Sequence, residues 1–487
     1  MKNNQLMMDL YELTMANGYF LDGYERDKWV VFDVFYRKNP DNGGYAIFAG
    51  LEQIVDYLLN LHFTDKDIEY LKSLKLYDNK FLEYLRNFKF TGNVYAMREG
   101  TIMYPNEPIL TVEAPLVEAQ IIETELLAQI NHQSLIATKA SRIVRAADGR
   151  PVSDFGARRA HNDDAAVYGA RAAYIGGASS TATVVAGQKF GIPVSGTMAH
   201  SWVMFYKDEL EAFRNFADRY PDNCILLVDT YDVLKSGVPN AIKVFKELFL
   251  RHGKPKNYGI RLDSGDLAYL SIEARKMLDK EGLLDAKIVV SNSLDEYTIT
   301  SLLNQGAKID AFGVGERMIT AKSDPVFGAV YKLAAVYNPD TRKSEPRIKI
   351  SETVEKITNP GFKALYRAFD EDHHAVADII TKHDEYEYEQ YCQSGELVSI
   401  EVVDPERPWK KITLENVKLE SLLDPIITKG KEDYCYCAPK LSVIRDNVAD
   451  QLKYDIWPEE QRFENPHKHY VDMSPKYYEM KMNMLKG

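Results

Sequence analysis

Between residues 152 and 315 short aliphatic runs recur, each ending in a polar or glycine-rich turn before a helical pattern begins, and this recurrence limits the fold most strongly. The runs are Val152–Phe155 before Gly156, Ile192–Ser195 before Gly196-Thr197, Ile225–Val228 before Asp229-Thr230, Gly259–Leu262 before Asp263-Ser264-Gly265-Asp266, and Ile288–Val290 before Ser291-Asn292. A sixth, Ala311-Phe312, leads into Gly313-Val314-Gly315. Helical patterns lie between them at Ala241–Arg251, Leu267–Glu281 and Leu294–Gln305. From Asp229 to Asp263 is 34 residues, on to Ser291 is 28 and on to Gly313 is 22. Those are the spacings of strand–helix–strand units, whose strands run parallel. The spacing predicts an α/β unit, either a barrel or an open doubly wound sheet. Both put their chemistry at the carboxyl ends of the strands. Phe155 with Arg158, His200, Asp229, Asp263, Ser291, Gly313 and Gly315 are therefore expected to converge on one rim.

The chain has 487 residues. At about 150 residues per domain that allows two to three structural units. The opening stretch mixes helical patterns (Leu51–Leu61, Asp65–Leu74) with strand patterns (Val30–Phe35, Thr91–Tyr95, Ile109–Val112), which predicts an α+β unit. From Asp370 to Gln390, and again from Pro405 to Lys411, the sequence is polar and irregular, as in an appendage. The expected organisation is an N-terminal α+β domain over residues 1–130, a barrel-like catalytic domain over 131–345, and a C-terminal segment over 346–487 that partly packs on the first domain.

Lys and Arg number 60 against 72 Asp and Glu, a net charge of -12. That balance argues against a general nucleic-acid binder and against a polybasic membrane-surface protein. An anionic ligand must then be met by a local basic cluster. No run approaches the roughly 18 apolar residues of a membrane span, and the start lacks the pattern of a secretory signal. The 4 cysteines are too few for a disulfide framework in so long a chain. A cytoplasmic, soluble protein is expected. Cys435-Tyr436-Cys437, followed by His467 and His469, has a tighter spacing than zinc sites use, and no metal site is predicted.

His200 follows the run Ser195–Ala199 and, at a strand end, suits a nucleophile or proton carrier. Asp229, ending the next run, is its natural orienting partner; the ordinary explanation is that His200 caps a helix. Ser153-Asp154-Phe155-Gly156-Ala157-Arg158-Arg159 sets an aromatic face and two guanidinium groups at a strand-to-helix turn, suited to a flat heterocycle and an anion. Their ordinary partners would be Asp163 and Asp164. Alternation points Arg261 and Asp263 to one side of their strand, where they could hold an anionic group and a ribose diol. The plain alternative is a mutual ion pair, with Asp266 as a helix cap. Gly313-Val314-Gly315-Glu316 could cradle phosphate with backbone N–H groups, although a lone GxG is more often a tight turn. Tyr36-Arg37-Lys38-Asn39-Pro40 is a second basic patch.

Taken in order, Asp9-Leu10-Tyr11-Glu12-Leu13-Thr14-Met15-Ala16-Asn17-Gly18-Tyr19, Tyr36–Pro40, Ser153–Arg159, Gly196-Thr197-Met198-Ala199-His200-Ser201, Arg261–Asp266 and Ser291-Asn292-Ser293-Leu294-Asp295-Glu296 resemble the nicotinate phosphoribosyltransferase family. The resemblance runs over roughly residues 9 to 340. It implies an incomplete TIM-like α/β barrel, or funnel, beside an N-terminal α+β domain. It also implies a homodimeric enzyme with shared active sites, joining nicotinate to 5-phosphoribosyl 1-diphosphate to give nicotinate mononucleotide and diphosphate in NAD salvage. Family members couple this to ATP hydrolysis through a phosphohistidine, which falls on His200, with Asp229 orienting it. Mg2+ is expected to accompany the phosphoribosyl diphosphate and ATP.

By the same resemblance Phe155 and Tyr11, the latter from the partner subunit, would sandwich the pyridine. Arg261 and Thr197 would contact nicotinate, Arg158 would lie beside the ring and phosphate, and Asp263 would hold the ribose. Gly313, Gly315 and the Glu316 backbone would bind the 5-phosphate, with Arg37 and Lys38 near the diphosphate. The amide-using relatives, nicotinamide phosphoribosyltransferases, place an aspartate in the pocket. Here Ser179-Ser180-Thr181-Ala182-Thr183 is neutral, which favours the acid. Two other classes remain open: a barrel lyase or isomerase acting on a phosphosugar, and a non-enzymatic pyridine-nucleotide sensor. The first would not need Tyr11, Phe155 and the surroundings of His200, and the set of candidate catalytic residues opposes the second.

Overall fold

The computed structural model describes residues 5–24 and 28–486. They divide into two compact units: Ile136–Pro325 forms one, and the stretches up to Leu135 and from Val326 together form the other.

The continuous unit is built on six parallel strands, β1 (Val152–Asp154), β2 (Ser180–Thr181), β3 (Asn223–Leu227), β4 (Asn257–Leu262), β5 (Lys287–Ser291) and β6 (Ala311–Val314). They lie in the order β2-β1-β6-β5-β4-β3. That is the sequential winding of a barrel left open between β2 and β3, the incomplete barrel that the resemblance implies. Helices Asp163–Ile175, Glu209–Arg219, Val238–His252, Leu267–Lys280 and Glu296–Asn304 fall in the connections. Four start on an Asn or Asp whose side chain accepts a backbone N–H of the first turn: Asn162, Asp208, Asp266 and Asp295. Each such cap is worth about 1 kcal/mol and fixes where strand-end loop gives way to helix.

One element differs from expectation. Ile192–Ser195 contributes only a single parallel bridge, Thr181 to Val194, and the place beside β1 belongs to Ser180–Thr181. Two hydroxyl residues are too short and too polar to give an alternating apolar pattern.

The discontinuous unit holds a seven-stranded antiparallel sheet, ordered Ser344–Pro346, Val330–Tyr337, Trp29–Phe35, Leu110–Pro115, Asn93–Ala96, Asp424–Thr428 and Lys431–Glu432. It also holds a closed barrel of Lys363–Phe369, Ala375–Lys382, Val471–Met473, Val398–Val403 and Lys411–Ser421. The barrel core packs Tyr366, Ile379, Tyr388, Ile400, Val417 and Leu419. Asp370–Gln390, which the sequence reading took as irregular, therefore supplies a barrel strand and part of the helix Tyr386–Ser394. Asp378 in that strand is buried because Arg367 grips it with two hydrogen bonds of 2.7 and 2.6 Å. Its charge made a core strand look like a loop. Among the described residues no helix is long and apolar enough to cross a membrane.

Candidate active site

The carboxyl ends of the parallel strands carry one connected polar cluster, and Arg261, near the end of β4, is its hub. Its Nε donates to Ser291 Oγ at 2.9 Å, Nη1 to Thr197 Oγ1 at 2.8 Å and Nη2 to Asp263 Oδ1 at 2.9 Å. Nη1 also reaches Met198 O at a long 3.5 Å; of the five N–H bonds of a guanidinium one on Nη2 is then free and one on Nη1 only loosely held, and both can turn to a ligand. Its carbon stands 5.4 Å from the centroid of the Phe155 ring, within cation–π range. Aromatic face and cation thus meet as β1 and β4 predict. The plain alternative for this segment holds as well, since Arg261 and Asp263 pair and Asp266 caps the next helix.

Burial alone would raise the Asp263 carboxyl. The hydrogen bond from Ser291, the Arg261 charge and His200 outweigh it and hold the group below its ordinary value. The Asp229 side chain is 1 % exposed; its Oδ2 accepts from Asp263 N at 2.9 Å and from Ser264 Oγ at 2.7 Å. Its Oδ1 is buried and unpartnered among the described residues.

His200 opens the short helix His200–Phe205, which has no side-chain cap, so capping does not account for the residue. Nδ1 lies 3.1 Å from Thr230 Oγ1. Nε2 lies 3.9 Å from Asp229 Oδ1 and 3.8 Å from Asp263 Oδ2. These are ion-pair distances, too long for hydrogen bonds. The imidazole is 40 % exposed and so open to a reactant.

Gly313 is where the fold requires the absence of a side chain. A Cβ there would sit 2.4 Å from Phe155 Cε2 and 2.5 Å from Cδ2, so glycine leaves the room that the ring occupies against β6. Gly313→Ala should push the ring off this seat. The expected result is a loss of about 1–3 kcal/mol in denaturant unfolding together with a changed Phe155 ring environment by NMR; an unchanged ring environment would refute the close fit. Asp154 fixes the same turn from below, accepting from Gly156 N at 2.8 Å and Thr181 Oγ1 at 2.7 Å.

Arg159 and Glu316 form a weak pair at 4.0 Å, and Lys322 approaches Glu316 to 2.6 Å, lowering its carboxyl. The expected pairing of Arg159 with Asp163 and Asp164 does not describe it. Arg158 is exposed and has no ion pair among the described residues. Gly315 leads into the short helix Glu316–Ile319. In the stretch Ser179–Thr183, Ser180 bonds Ser153 at 2.8 Å and Thr181 bonds Asp154, while Thr183 Oγ1 is buried without a partner among the described residues. The stretch itself carries no charge.

Tyr11, Arg37 and Lys38 belong to the discontinuous unit. Tyr11 lies on the helix Leu10–Leu21, exposed beside Leu10 and Met15, and its hydroxyl is pushed up by burial and by Glu123. Arg37 Nε donates to Glu355 O at 2.9 Å. His469, considered with Cys435 and Cys437 for a metal, is buried against Glu460 at 3.1 Å, whereas both cysteines are exposed.

Sequence reasoning missed Asp154 and Thr230 as parts of the site. It placed Ser291 on the rim without its role of bridging Arg261 and Asp263. The structure adds a mark of its own: Asn292 and Ser293, non-glycine residues at φ 95° and 37°, follow β5 in the left-handed region, where strain gathers at functional loops.

Three sequence models match the chain: the nicotinate phosphoribosyltransferase N-terminal domain over residues 6–131, the nicotinate phosphoribosyltransferase family over 151–371 and the C-terminal domain of the same name over 362–481. Nicotinate phosphoribosyltransferase of Bacillus subtilis (strain 168) is 46% identical over 482 residues, covering 99% of this chain and 95% of the relative. The crystal structure of human nicotinic acid phosphoribosyltransferase superposes with a TM-score of 0.82 at 27% identity, covering 98% of this chain and 99% of the other. Nicotinate-nucleotide pyrophosphorylase of Pyrococcus furiosus gives 0.69 at 26% identity, with 93% and 96% covered.

Proposed function

Because the chain belongs to the nicotinate phosphoribosyltransferase family, we propose that the strand-end cluster around Arg261 binds nicotinate and that His200 beside it accepts a phosphoryl group from ATP. The activity itself joins nicotinate to phosphoribosyl diphosphate in NAD salvage. In that reaction the pyridine nitrogen attacks C1 of the phosphoribosyl group and diphosphate leaves with the bonding electron pair.

The observation that carries the reading is the contact of Arg261 with the Phe155 ring at 5.4 Å. A pyridine stacked on Phe155 would direct its carboxylate to the free guanidinium donors, a charge-assisted and planar match. The uncharged Ser179–Thr183 stretch does not repel that carboxylate, and the nearby Asp154 has both oxygens engaged within the fold. Asp263 would take the ribose diol. Gly313, Gly315 and the Glu316 backbone would face the 5-phosphate, with Arg158 beside it.

For His200, the two carboxylates near Nε2 favour a proton on that nitrogen, which leaves the Nδ1 lone pair as nucleophile next to Thr230. The γ-phosphoryl group would pass from ATP to Nδ1 as ADP leaves, and water would later release phosphate. The buried Oδ1 of Asp229 has no hydrogen-bond partner among the described residues, which suits magnesium, a cation that binds one or two carboxylates and otherwise phosphate oxygens. Asp229 and Asp263 are the carboxylates that would hold it, and it would neutralise the charge of the leaving diphosphate.

The site would be completed by a second copy of the chain in a homodimer, through Tyr11 against the pyridine, while Arg37 and Lys38 would lie near the diphosphate. The exposed apolar face of Leu10, Tyr11 and Met15 supports that reading. A cytoplasmic location fits the substrates. The test is turnover of nicotinate and nicotinamide side by side, with and without ATP. The acid should be used at least about a hundredfold better, the discrimination expected when a charge-assisted bond is lost, and ATP should raise its yield; equal use of the amide would remove the assignment of Arg261.

A further inference from the structure

The discontinuous unit has a solvent-open cavity of about 1300 Å³ whose wall carries Arg37 and Lys38. Other basic groups on that wall are matched to carboxylates: Lys363 to Asp33 at 2.5 Å, Arg407 to Asp404 at 2.8 Å and Lys468 to Glu406 at 2.5 Å. Lys481 is different. It lies on the helix Pro475–Lys486, whose residues Tyr478, Lys481, Met482 and Leu485 line the cavity at the spacing of one helical face. It is the one charged residue on a face otherwise suited to packing.

Its ammonium donates to Asn359 Oδ1 at 2.7 Å and has no carboxylate partner among the described residues. Two N–H bonds are left over. Asn359 in turn donates to Asn106 O at 3.2 Å, and Asn106 N donates to Tyr36 O at 2.7 Å, the residue before Arg37. A short chain of hydrogen bonds thus ties Lys481 to the segment that presents Arg37 and Lys38. Among the described residues the charge that acts on Lys481 is that of Lys363, itself paired with Asp33; Tyr478 lines the same wall from its own helix. Burial and the Lys363 charge lower its amine to about 8. A cation held without a counter-charge in such a place is destabilising unless an anion joins it.

We propose that Lys481 is the third cation of the wall formed with Arg37 and Lys38, and that it selects a diphosphate group over a single phosphate. The inference rests on the reading of Arg37 and Lys38 as the diphosphate end of the reaction.

The experiment is calorimetric titration of the whole protein with inorganic diphosphate and, separately, orthophosphate. Lys481→Gln should bind diphosphate about tenfold more weakly than the native chain, a loss of roughly 1.4 kcal/mol, while orthophosphate binding changes little. Lys481→Arg should keep diphosphate affinity at pH 7. Between pH 7 and 9 the native chain should lose affinity relative to Lys481→Arg, because the amine discharges there and the guanidinium does not. Diphosphate binding by Lys481→Gln equal to the native value, or an equal loss for both anions, would overturn the proposal. Turnover of nicotinate by the native protein is read alongside. Its absence would sink the functional reading, whereas normal turnover with unaltered diphosphate binding in Lys481→Gln would sink this inference alone.

Discussion

Incubated with ATP labelled in the γ-phosphate, the native chain should acquire a phosphate that is labile in acid and stable in base, and His200→Ala should acquire none. A P–N bond has this stability pattern, which separates phosphohistidine from the esters of Ser, Thr or Tyr. The expected loss is complete, because among the described residues His200 is the imidazole set against both Asp229 and Asp263. Product formation by the variant should also become independent of ATP. Label retained by His200→Ala would remove the phosphohistidine from the mechanism. A milder variant separates positioning from reaction: Thr230→Val keeps the imidazole but loses the hydroxyl 3.1 Å from Nδ1. It should slow labelling without abolishing it.

Arg261→Met should lower kcat/KM for nicotinate by roughly 10²–10⁴-fold, the effect of two charge-assisted hydrogen bonds at about 1.5–3 kcal/mol each. The change also leaves Thr197, Ser291 and Asp263 without their common donor. Arg261→Lys should recover little, since one ammonium cannot reach three partners and a ligand. The same variant carries a signature in acid. The native Asp263 carboxyl is held below its ordinary value. Its contribution to stability is therefore full above the unfolded value of about 3.9 and is lost as pH falls through the lower folded value. Without Arg261 that pH dependence should shrink. Urea midpoints at pH 3 and pH 6 would check it; an undiminished difference would mean that Ser291 alone holds Asp263 ionised.

The strand-end residues were legible because a parallel strand followed by a capped helix leaves a strong local imprint: an apolar run, then Asp or Gly, then helical spacing. Asp229, Arg261, Asp263 and Gly313 fell out of that pattern directly. Ser180–Thr181 did not, because two polar residues carry no periodicity, and the nearby Ile192–Ser195 looked more like a strand than it is. The barrel strand Ala375–Lys382 was hidden for a different reason. Asp378 reads as a surface residue until Arg367, eleven positions earlier, is seen to neutralise it. Pairings between distant residues, such as Arg261 with Thr197 or Lys481 with Asn359, leave no mark in a local window.

The discontinuity of the first unit has a consequence for synthesis of the chain. Phe35 pairs with Val330, its neighbour across the sheet, 295 positions further on. At roughly 5–20 residues per second a ribosome needs about 15–60 s to make the stretch between them. Trp29–Phe35 can pair with Leu110–Pro115 early, but its other edge stays bare until Val330–Tyr337 emerges. During that interval the parallel unit, a compact unit of its own, is complete in sequence by Pro325. An exposed sheet edge held open that long is a site for pairing with other chains, so aggregation of this protein should depend on elongation rate and chaperone supply more than on final stability.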